Sequence, residues 1–153
     1  MCKNICAERR KAARGFSLIE LMVVVAIVGL LASIATASYR NYVRRATRTE
    51  GRSVLLSIQV AQEKFFLQNN QYVQTIAGVT AAPPGGLGIP LLAGGITTGG
   101  NYTITFQAAS ATQYRLAAAV TPGSAQASDS SCPLFTVDDQ GVRTPADSTG
   151  CWR

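Results

Sequence analysis

The chain has 153 residues, a formal charge of +6 and no histidine. This length allows one modest domain and an anchor, and the lack of histidine excludes His-dependent triads and the common zinc sites. Five basic residues and one glutamate precede residue 16, so the net charge belongs mostly to the N-terminal end and is a poor argument for nucleic-acid binding. The sequence offers no nucleophile–base pair and no cofactor-binding pattern, and we therefore predict a protein that is not an enzyme and needs no cofactor.

An apolar segment over residues 16–39 follows a predicted basic leader, residues 1–15. As a helix it would rise about 36 Å at 1.5 Å per residue, enough to cross a hydrocarbon core of roughly 30 Å. Its single charge is Glu20. Because a carboxylate inside a membrane helix costs on the order of 2.5–3.5 kcal/mol, we expect Glu20 to have a functional reason.

Two simpler interpretations of this segment stay open. Ala35-Thr36-Ala37 fits a signal-peptidase site, and cleavage after Ala37 would release a soluble periplasmic binding protein. The segment could also be a plain single-pass anchor. The charge rule does not select an orientation, because five arginines follow the segment as five basic residues precede it.

The start of the apolar segment resembles the prepilin signature of the type IV pilins, Gly-Phe-Thr/Ser-Leu-x-Glu-Leu, which stands here as "GFSLIEL" over residues 15–21. The resemblance implies that prepilin peptidase cuts between Gly15 and Phe16 and methylates the new N-terminal Phe16. The apolar helix would then stay on the mature protein. Type II secretion pseudopilins share this motif, and they remain an alternative.

Glu20 acquires a physical role if the chain is a pilin. When subunits leave the bilayer, their apolar helices bundle in a filament core of low dielectric, where the new α-amino group of Phe16 is a costly cation. A carboxylate four residues along the helix can neutralise that amine, in the same subunit or in a neighbour. We therefore expect Glu20 to act in filament assembly.

Residues 40–72 are predicted to continue the helix as an amphipathic segment, giving one helix of about 55 residues. An apolar stripe recurs at spacings of four and three, through Val54, Ile58, Ala61, Phe65, Gln68 and Tyr72, broadened by Leu55 and Phe66. A basic strip recurs at every fourth residue, through Arg40, Arg44, Arg48 and Arg52. The strip has three interpretations: a solvated face that touches lipid headgroups, pairing with acidic groups of neighbouring subunits, or DNA binding.

Residues 73–101 have the composition of a connecting loop, rich in glycine and proline. We predict an extended connector that is mobile at the doublets Gly85-Gly86 and Gly94-Gly95. Asn101-Tyr102-Thr103 fits a glycosylation sequon, but a single match is most simply a coincidence.

Residues 102–153 are predicted to form three or four antiparallel strands and a closed C-terminal loop. "NYTITFQ" and "QYRLAAAV" alternate apolar and polar positions, and "LFTVDDQGVRT" indicates a hairpin with Phe135 and Val137 inward. Asp138 and Asp139 are expected to serve its turn rather than a metal. Cys132 and Cys151 are expected to form a disulfide in an oxidising compartment, although two free thiols are the alternative.

This C-terminal order of strands, cysteine, hairpin and Cys-Trp resembles the disulfide-bounded loop of type IVa pilins, and most resembles minor pilins of the PilE type. The predicted fold is therefore α+β, with a long N-terminal helix packed on a small antiparallel sheet. The resemblance implies a pilus subunit, stored in the inner membrane with its C-terminal domain in the periplasm and then polymerised into an extracellular filament. Motility, adhesion or DNA uptake would be properties of that filament. The implied partners are other pilin subunits, prepilin peptidase, the assembly machinery of the inner membrane and membrane lipid, with nucleic acid weakly supported.

Overall fold

The computed structural model describes residues 15–145 and 150–152, so the predicted leader lies outside the described residues except for Gly15. The chain divides into two compact units, Met1–Tyr39 and Arg40–Arg153. In chain order the elements are two helices, α1 (Leu18–Asn69) and α2 (Ile76–Thr80), and four strands, β1 (Tyr102–Ala109), β2 (Tyr114–Val120), β3 (Leu134–Asp138) and β4 (Arg143–Thr144). Short 3-10 turns occupy Ala93–Gly95 and Ala125–Ser128.

Helix α1 ends three residues before the predicted boundary at residue 72. Asn70 takes a left-handed φ of 53°, which asparagine tolerates better than most residues and which ends helices. Tyr72 then donates its backbone N–H to the carbonyl of Ala111 at 2.9 Å, outside the helix. Its ring still enters the core, where it meets Tyr114 edge-on at a centroid distance of 4.8 Å.

The buried face of α1 is rotated from the predicted stripe. Gly51, Leu55, Ile58 and Gln62 are buried, whereas Gln68 is exposed, so the placement of Gln68 on the buried face was wrong. Gln62 is buried because its side-chain amide donates to the carbonyl of Val73 at 2.7 Å and accepts the Val73 N–H at 2.8 Å. A buried polar group that is fully paired in this way is tolerated in a core.

Residues 73–101 are more ordered than an extended connector. Thr75 caps α2 by accepting the Gly78 N–H at 3.1 Å, as N-cap residues do. A Cβ at Gly86 would lie 2.4 Å from the carbonyl oxygen of Gly78, and one at Gly95 would lie 2.5 Å from that of Ile104. These two glycines therefore allow close packing of backbone on backbone, a role that the prediction of mobile doublets missed.

The four strands form one antiparallel sheet in the order β1-β2-β3-β4. Tyr102 pairs with Val120 and Ala118 with Phe135, and a bulge interrupts β1 between Phe106 and Ala108. The predicted inward positions of Phe135 and Val137 are confirmed, because both side chains are buried. The apolar side chains of the sheet join those of α1 in one core. This core contains Leu55 and Ile58 from α1, and Tyr102, Ile104, Tyr114, Leu116, Phe135 and Val137 from the sheet. The predicted α+β fold, a long helix packed on an antiparallel sheet, is confirmed. The hairpin differs in one detail: Val142 is 56% exposed and β4 begins at Arg143.

Candidate assembly and anchoring sites

The predicted processing motif lies at the start of the first unit. Gly15, Phe16 and Ser17 precede α1, and Glu20 lies in its first turn. All four are exposed, Phe16 at 83%. A Cβ at Gly15 would meet nothing within 4 Å, so the described contacts give no packing reason for a glycine at that position. The fold therefore leaves the peptide bond between Gly15 and Phe16 accessible.

The apolar part of α1 is uncovered. Every large hydrophobic side chain from Phe16 to Ile34 is 51–83% exposed. Soluble monomers rarely expose a continuous apolar patch of more than a few hundred Å². Two hydroxyl groups in this segment are satisfied within the helix, because Ser33 donates to the carbonyl of Leu30 at 2.7 Å and Thr36 to that of Ser33 at 3.1 Å. The segment thus offers almost no polar group to water apart from Glu20 and needs an apolar environment.

Among the described residues, α1 is the single helix whose length and composition would let it cross a membrane. The most apolar window has a mean hydropathy of 2.7 and none of it is buried. A signal sequence can have the same length and composition. Length and hydropathy therefore agree with both an anchor and a leader, and the motif around Gly15 has to distinguish them.

The second unit contains the predicted disulfide. Cys132 and Cys151 are bonded and buried, with Cα atoms 5.7 Å apart. The adjacent Trp152 packs edge-on against Phe135 at a centroid distance of 5.7 Å and donates its indole N–H to the carbonyl of Thr144 at 3.2 Å. The guanidinium of Arg143 lies 5.3 Å from the Trp152 ring centroid, within the range of a cation–π contact. The disulfide and Trp152 together hold the β3–β4 hairpin closed.

The structure separates the members of the predicted basic strip. Arg48 makes a two-pronged ion pair with Asp129, with Nε to Oδ2 at 2.6 Å and Nη2 to Oδ1 at 2.7 Å. The side chains of Arg48 and Asp129 are only 12% and 2% exposed. The interpretation of the whole strip as a solvated face was therefore wrong for Arg48, whose partner is 81 residues away in the same chain.

The Arg48–Asp129 pair has further polar support. Gln126, itself buried, donates its amide to Asp129 Oδ2 at 2.8 Å and to the carbonyl of Arg44 at 3.1 Å. Burial alone would raise the pKa of the Asp129 carboxyl, but the hydrogen bonds and charge of Arg48, with backbone bonds from Cys132 and Ser131, hold that pKa below its usual value. The hydrogen bond that Arg48 donates to Asp129 in turn raises the pKa of Arg48. Both groups are therefore charged at neutral pH.

Glu50 is a second polar anchor that the sequence prediction missed. Its carboxylate accepts hydrogen bonds from the Thr97 hydroxyl and from the Asn101 amide, the latter at 2.7 Å. The signal was present, since Glu50 is the only acidic residue between Glu20 and Glu63 and lies among five arginines. The Asn101 side chain also donates to the carbonyl of Gly99 at 3.0 Å, so the asparagine of the apparent sequon helps to fix the end of the connector.

The described residues contain no group of three or more His, Cys, Asp or Glu side chains that could hold a metal. Asp138 and Asp139 serve the turn as expected: Asp138 accepts the Val142 N–H at 2.8 Å, and Asp139 accepts the Tyr114 N–H at 3.3 Å. Their carboxylates are thereby used in turn and strand hydrogen bonds. In the described part of the chain, the functional candidates are thus the exposed apolar segment with Glu20 and the polar surfaces of the second unit.

Two family models match the chain. One, described as "Type IV minor pilin ComP, DNA uptake sequence receptor", matches residues 37–136, and the other, described as "Prokaryotic N-terminal methylation motif", matches residues 10–36. The second range contains the Gly15–Phe16 junction and Glu20. The first covers the continuation of α1 and the sheet as far as β3.

Similar proteins include pilus and secretion subunits. The chain is 38% identical over 73 residues to the type IV major pilin protein PilA of Myxococcus xanthus, covering 48% of this chain and 33% of that protein. It is 36% identical over 107 residues to the type IV major fimbrial protein FimA of Dichelobacter nodosus, covering 69% and 64%. It is 37% identical over 68 residues to the type II secretion system core protein G of Pectobacterium carotovorum, covering 44% of each chain. These matches span from one third to just under two thirds of the length of each relative.

Proposed function

We propose that this chain, which belongs to the type IV pilin family, is a structural subunit that polymerises into a type IV pilus or primes its assembly. The observation that carries the proposal is the exposed apolar helix that follows Gly15-Phe16 and holds one carboxylate in its first turn. In an isolated domain in water, the apolar surface of such a helix would stay exposed. In a subunit that moves between a bilayer and a filament core, lipid or neighbouring helices cover that surface.

The proposed cycle begins in the inner membrane. The apolar segment holds the precursor there, prepilin peptidase cleaves between Gly15 and Phe16, and Phe16 is methylated. Three observations support these steps: the match to the N-terminal methylation motif over residues 10–36, the exposure of the junction, and the absence of a packing role for Gly15. Cleavage at this bond keeps the whole apolar helix on the mature subunit.

Glu20 then contributes to assembly. In the filament core, burial of the unpaired Phe16 ammonium would be very costly, and the Glu20 carboxylate neutralises that charge in its own subunit or in a neighbour. Since the pairing requires one axial position of helix against helix, it also selects the register. Glu20 costs on the order of 2.5–3.5 kcal/mol when the helix is inserted in the membrane. Neutralisation of the Phe16 ammonium in the filament offsets this cost.

The domain after residue 40 is assigned to the periplasm before assembly and to the filament surface afterwards. The support is the buried Cys132–Cys151 disulfide, because structural disulfides persist in oxidising compartments. The other partners of the proposal are further pilin subunits and the assembly machinery of the inner membrane. Twitching motility, adhesion and DNA uptake are then functions of the filament as a whole.

Nucleic acid is the least supported of these partners. The matching family description names a DNA uptake sequence receptor, and the chain carries the basic strip from Arg40 to Arg52. However, Arg48 is internally paired, and the aromatic residues interleaved with the strip are Tyr39 and Tyr42. Proteins that bind single strands combine a basic groove with several stacking aromatics.

A type II secretion pseudopilus is the second candidate, because similarity to the secretion system core protein G covers the same N-terminal region. The two candidates predict different destinations for the subunit. We therefore propose to shear surface filaments from cells that express the chain and to quantify it in the filament and membrane fractions. Recovery of the subunit in sheared pili is expected. Confinement to the membrane fraction, with loss of protein secretion when the gene is deleted, would favour the pseudopilus.

A further inference from the structure

A polar cleft of about 320 Å³ lies on the second unit, where the start of that unit's helix meets the loop before β3. Asn41, Arg44, Arg45 and Arg48 form the helical wall, and Asp129 and Ser131 form the loop wall. The Arg48–Asp129 ion pair holds the two walls together. The cleft is therefore a built feature, because its lining includes an ion pair whose side chains are 12% and 2% exposed.

The cleft carries a surplus of positive charge. The carboxylate of Asp129 accepts hydrogen bonds from Arg48 and from the amide of Gln126. The negative charge of Asp129 is therefore balanced by the positive charge of Arg48. Within the described part of the chain, Arg44 and Arg45 have no carboxylate partner. Two guanidinium groups thus line a polar cleft whose one carboxylate is already neutralised, which favours an anionic ligand.

The position of the cleft in the sequence indicates the source of that anion. Asn41, Arg44 and Arg45 come in the two helical turns that follow the apolar segment ending at residue 39. Tyr39 and Tyr42 are 68% and 71% exposed, and tyrosine is enriched where a membrane helix leaves the hydrocarbon. The headgroup layer on each side of a bilayer is roughly 5–7 Å thick, about the rise of four helical residues. Counted along the chain from residue 39, Asn41 falls within those four residues and Arg44 follows them directly, so the helical wall of the cleft begins in the stretch of chain that meets the headgroup phosphates when the apolar segment is inserted.

We propose that this cleft, lined by Arg44, Arg45 and Asn41, binds the phosphate of an anionic phospholipid while the subunit is stored in the membrane. Arginine is suited to this contact because its planar guanidinium pairs with phosphate oxygens through two parallel hydrogen bonds. Asn41 and Ser131 supply neutral donors beside it. The inference rests on the proposed membrane storage. It gives the stored subunit a defined lipid contact, which must be released when the subunit enters a filament.

A lipid fits the cleft better than the other anions. A DNA duplex is held by basic side chains that neutralise several successive phosphates, whereas this cleft offers two arginines without a carboxylate partner beside the loop at Asp129. Free phosphate can make the same hydrogen bonds with arginine. However, it is not concentrated at the membrane surface beside the cleft, as a lipid headgroup is.

The test compares lipid selectivity of the full chain and two double variants in mixed vesicles of phosphatidylcholine and phosphatidylglycerol. Spin-labelled forms of both lipids give the association constant of the anionic lipid relative to the zwitterionic one. Each basic side chain near an anionic surface strengthens attraction roughly fivefold, so R44Q/R45Q is expected to lower the preference for phosphatidylglycerol about 30-fold. The preference of the wild-type chain should also weaken with added salt.

The matched control is K64Q/R115Q, which removes the same charge from two exposed positions outside the cleft. It is expected to keep the wild-type preference. If both variants lose the preference for phosphatidylglycerol equally, the effect depends only on net charge and the proposal is overturned. The proposal is also overturned if R44Q/R45Q keeps the full wild-type preference. Displacement of the bound lipid by millimolar inorganic phosphate, or binding of a short DNA duplex in its place, would overturn the assignment of a lipid.

The outcome is separable from the proposed function. Lipid selectivity is read in vesicles and does not require a pilus, whereas incorporation is read in sheared filaments. If the wild-type chain selects phosphatidylglycerol but never enters filaments, the pilus proposal fails and the lipid site stands. If it enters filaments but shows no lipid preference, the lipid site fails and the pilus proposal stands. Thiol labelling of Cys132 and Cys151 checks that each variant is folded.

Discussion

The buried pair of Arg48 and Asp129 gives the sharpest stability prediction. Asp129→Asn removes the negative charge and leaves the guanidinium of Arg48, 12% exposed, without its counter-charge. Removing one partner of a buried ion pair typically costs 3–5 kcal/mol. Since a stability change of 1 kcal/mol moves Tm by roughly 4 °C in a domain near this size, we expect Tm to fall by about 12–20 °C.

The single tryptophan of the chain provides the assay. Trp152 is buried against Phe135 in this unit, so its fluorescence reports unfolding of the domain in detergent-solubilised full-length protein. The control is Arg115→Gln, which breaks the more exposed pair of Arg115 and Asp138, 3.4 Å apart. Such surface pairs are worth about 0–1 kcal/mol. If Asp129→Asn lowers Tm no more than the control does, the Arg48–Asp129 pair does not stabilise the domain as a buried ion pair.

The same pair predicts a pH dependence. The folded-state pKa of Asp129 lies below its usual value of 3.8, so its contribution to stability is fully present above that value. It is lost as the pH falls through the lower, folded-state pKa. The difference in stability between the wild-type protein and Asp129→Asn should therefore be constant near neutral pH and shrink only in strong acid. A difference that closes between pH 8 and pH 6 would contradict this assignment.

Three further predictions concern assembly and the rest of the domain. Glu20→Ala should insert into the membrane at least as well as the wild-type chain, because the insertion cost is removed, but should be depleted from sheared filaments; normal incorporation would end this account of the carboxylate. Cys132→Ser and Cys151→Ser should destabilise the domain equally, by about 3 kcal/mol for a loop of roughly 20 residues, as measured by tryptophan-detected unfolding. Gln62→Leu should cost about 2–5 kcal/mol because it leaves a buried backbone N–H and C=O unpaired, whereas Gln68→Leu, at an exposed position, should change stability by less than about 0.5 kcal/mol.

Local patterns predicted the elements of this fold well. The strands followed from strict alternation, as in Tyr102 and Ile104 of β1, and the helix from an unbroken stretch without proline. The disulfide followed from two late cysteines in a small domain. Each of these features depends on neighbouring residues or on a pair of one residue type, which a single sequence displays directly.

The features that were missed depend on contacts between distant residues. From the sequence alone, Gln62 would be placed on the surface, but its hydrogen bonds to Val73 explain its burial. Gly51 would be judged only a weak helix former, but a Cβ at this position would lie about 3.0 Å from the Tyr102 ring. The ion pair of Arg48 joins residues 81 positions apart. Among five neighbouring arginines, no periodicity could indicate which one would be buried.

We propose that this chain is a prepilin whose apolar helix is kept after processing. Intact-mass and N-terminal peptide mass spectrometry of the subunit extracted from the membranes of cells with a functional prepilin peptidase tests it most directly. We expect a mature chain that starts at Phe16 and carries one additional methyl group on its α-amino nitrogen. A mature chain that starts at Ser38, after cleavage at Ala37, would show that the apolar helix is removed and identify residues 16–37 as part of an ordinary signal peptide.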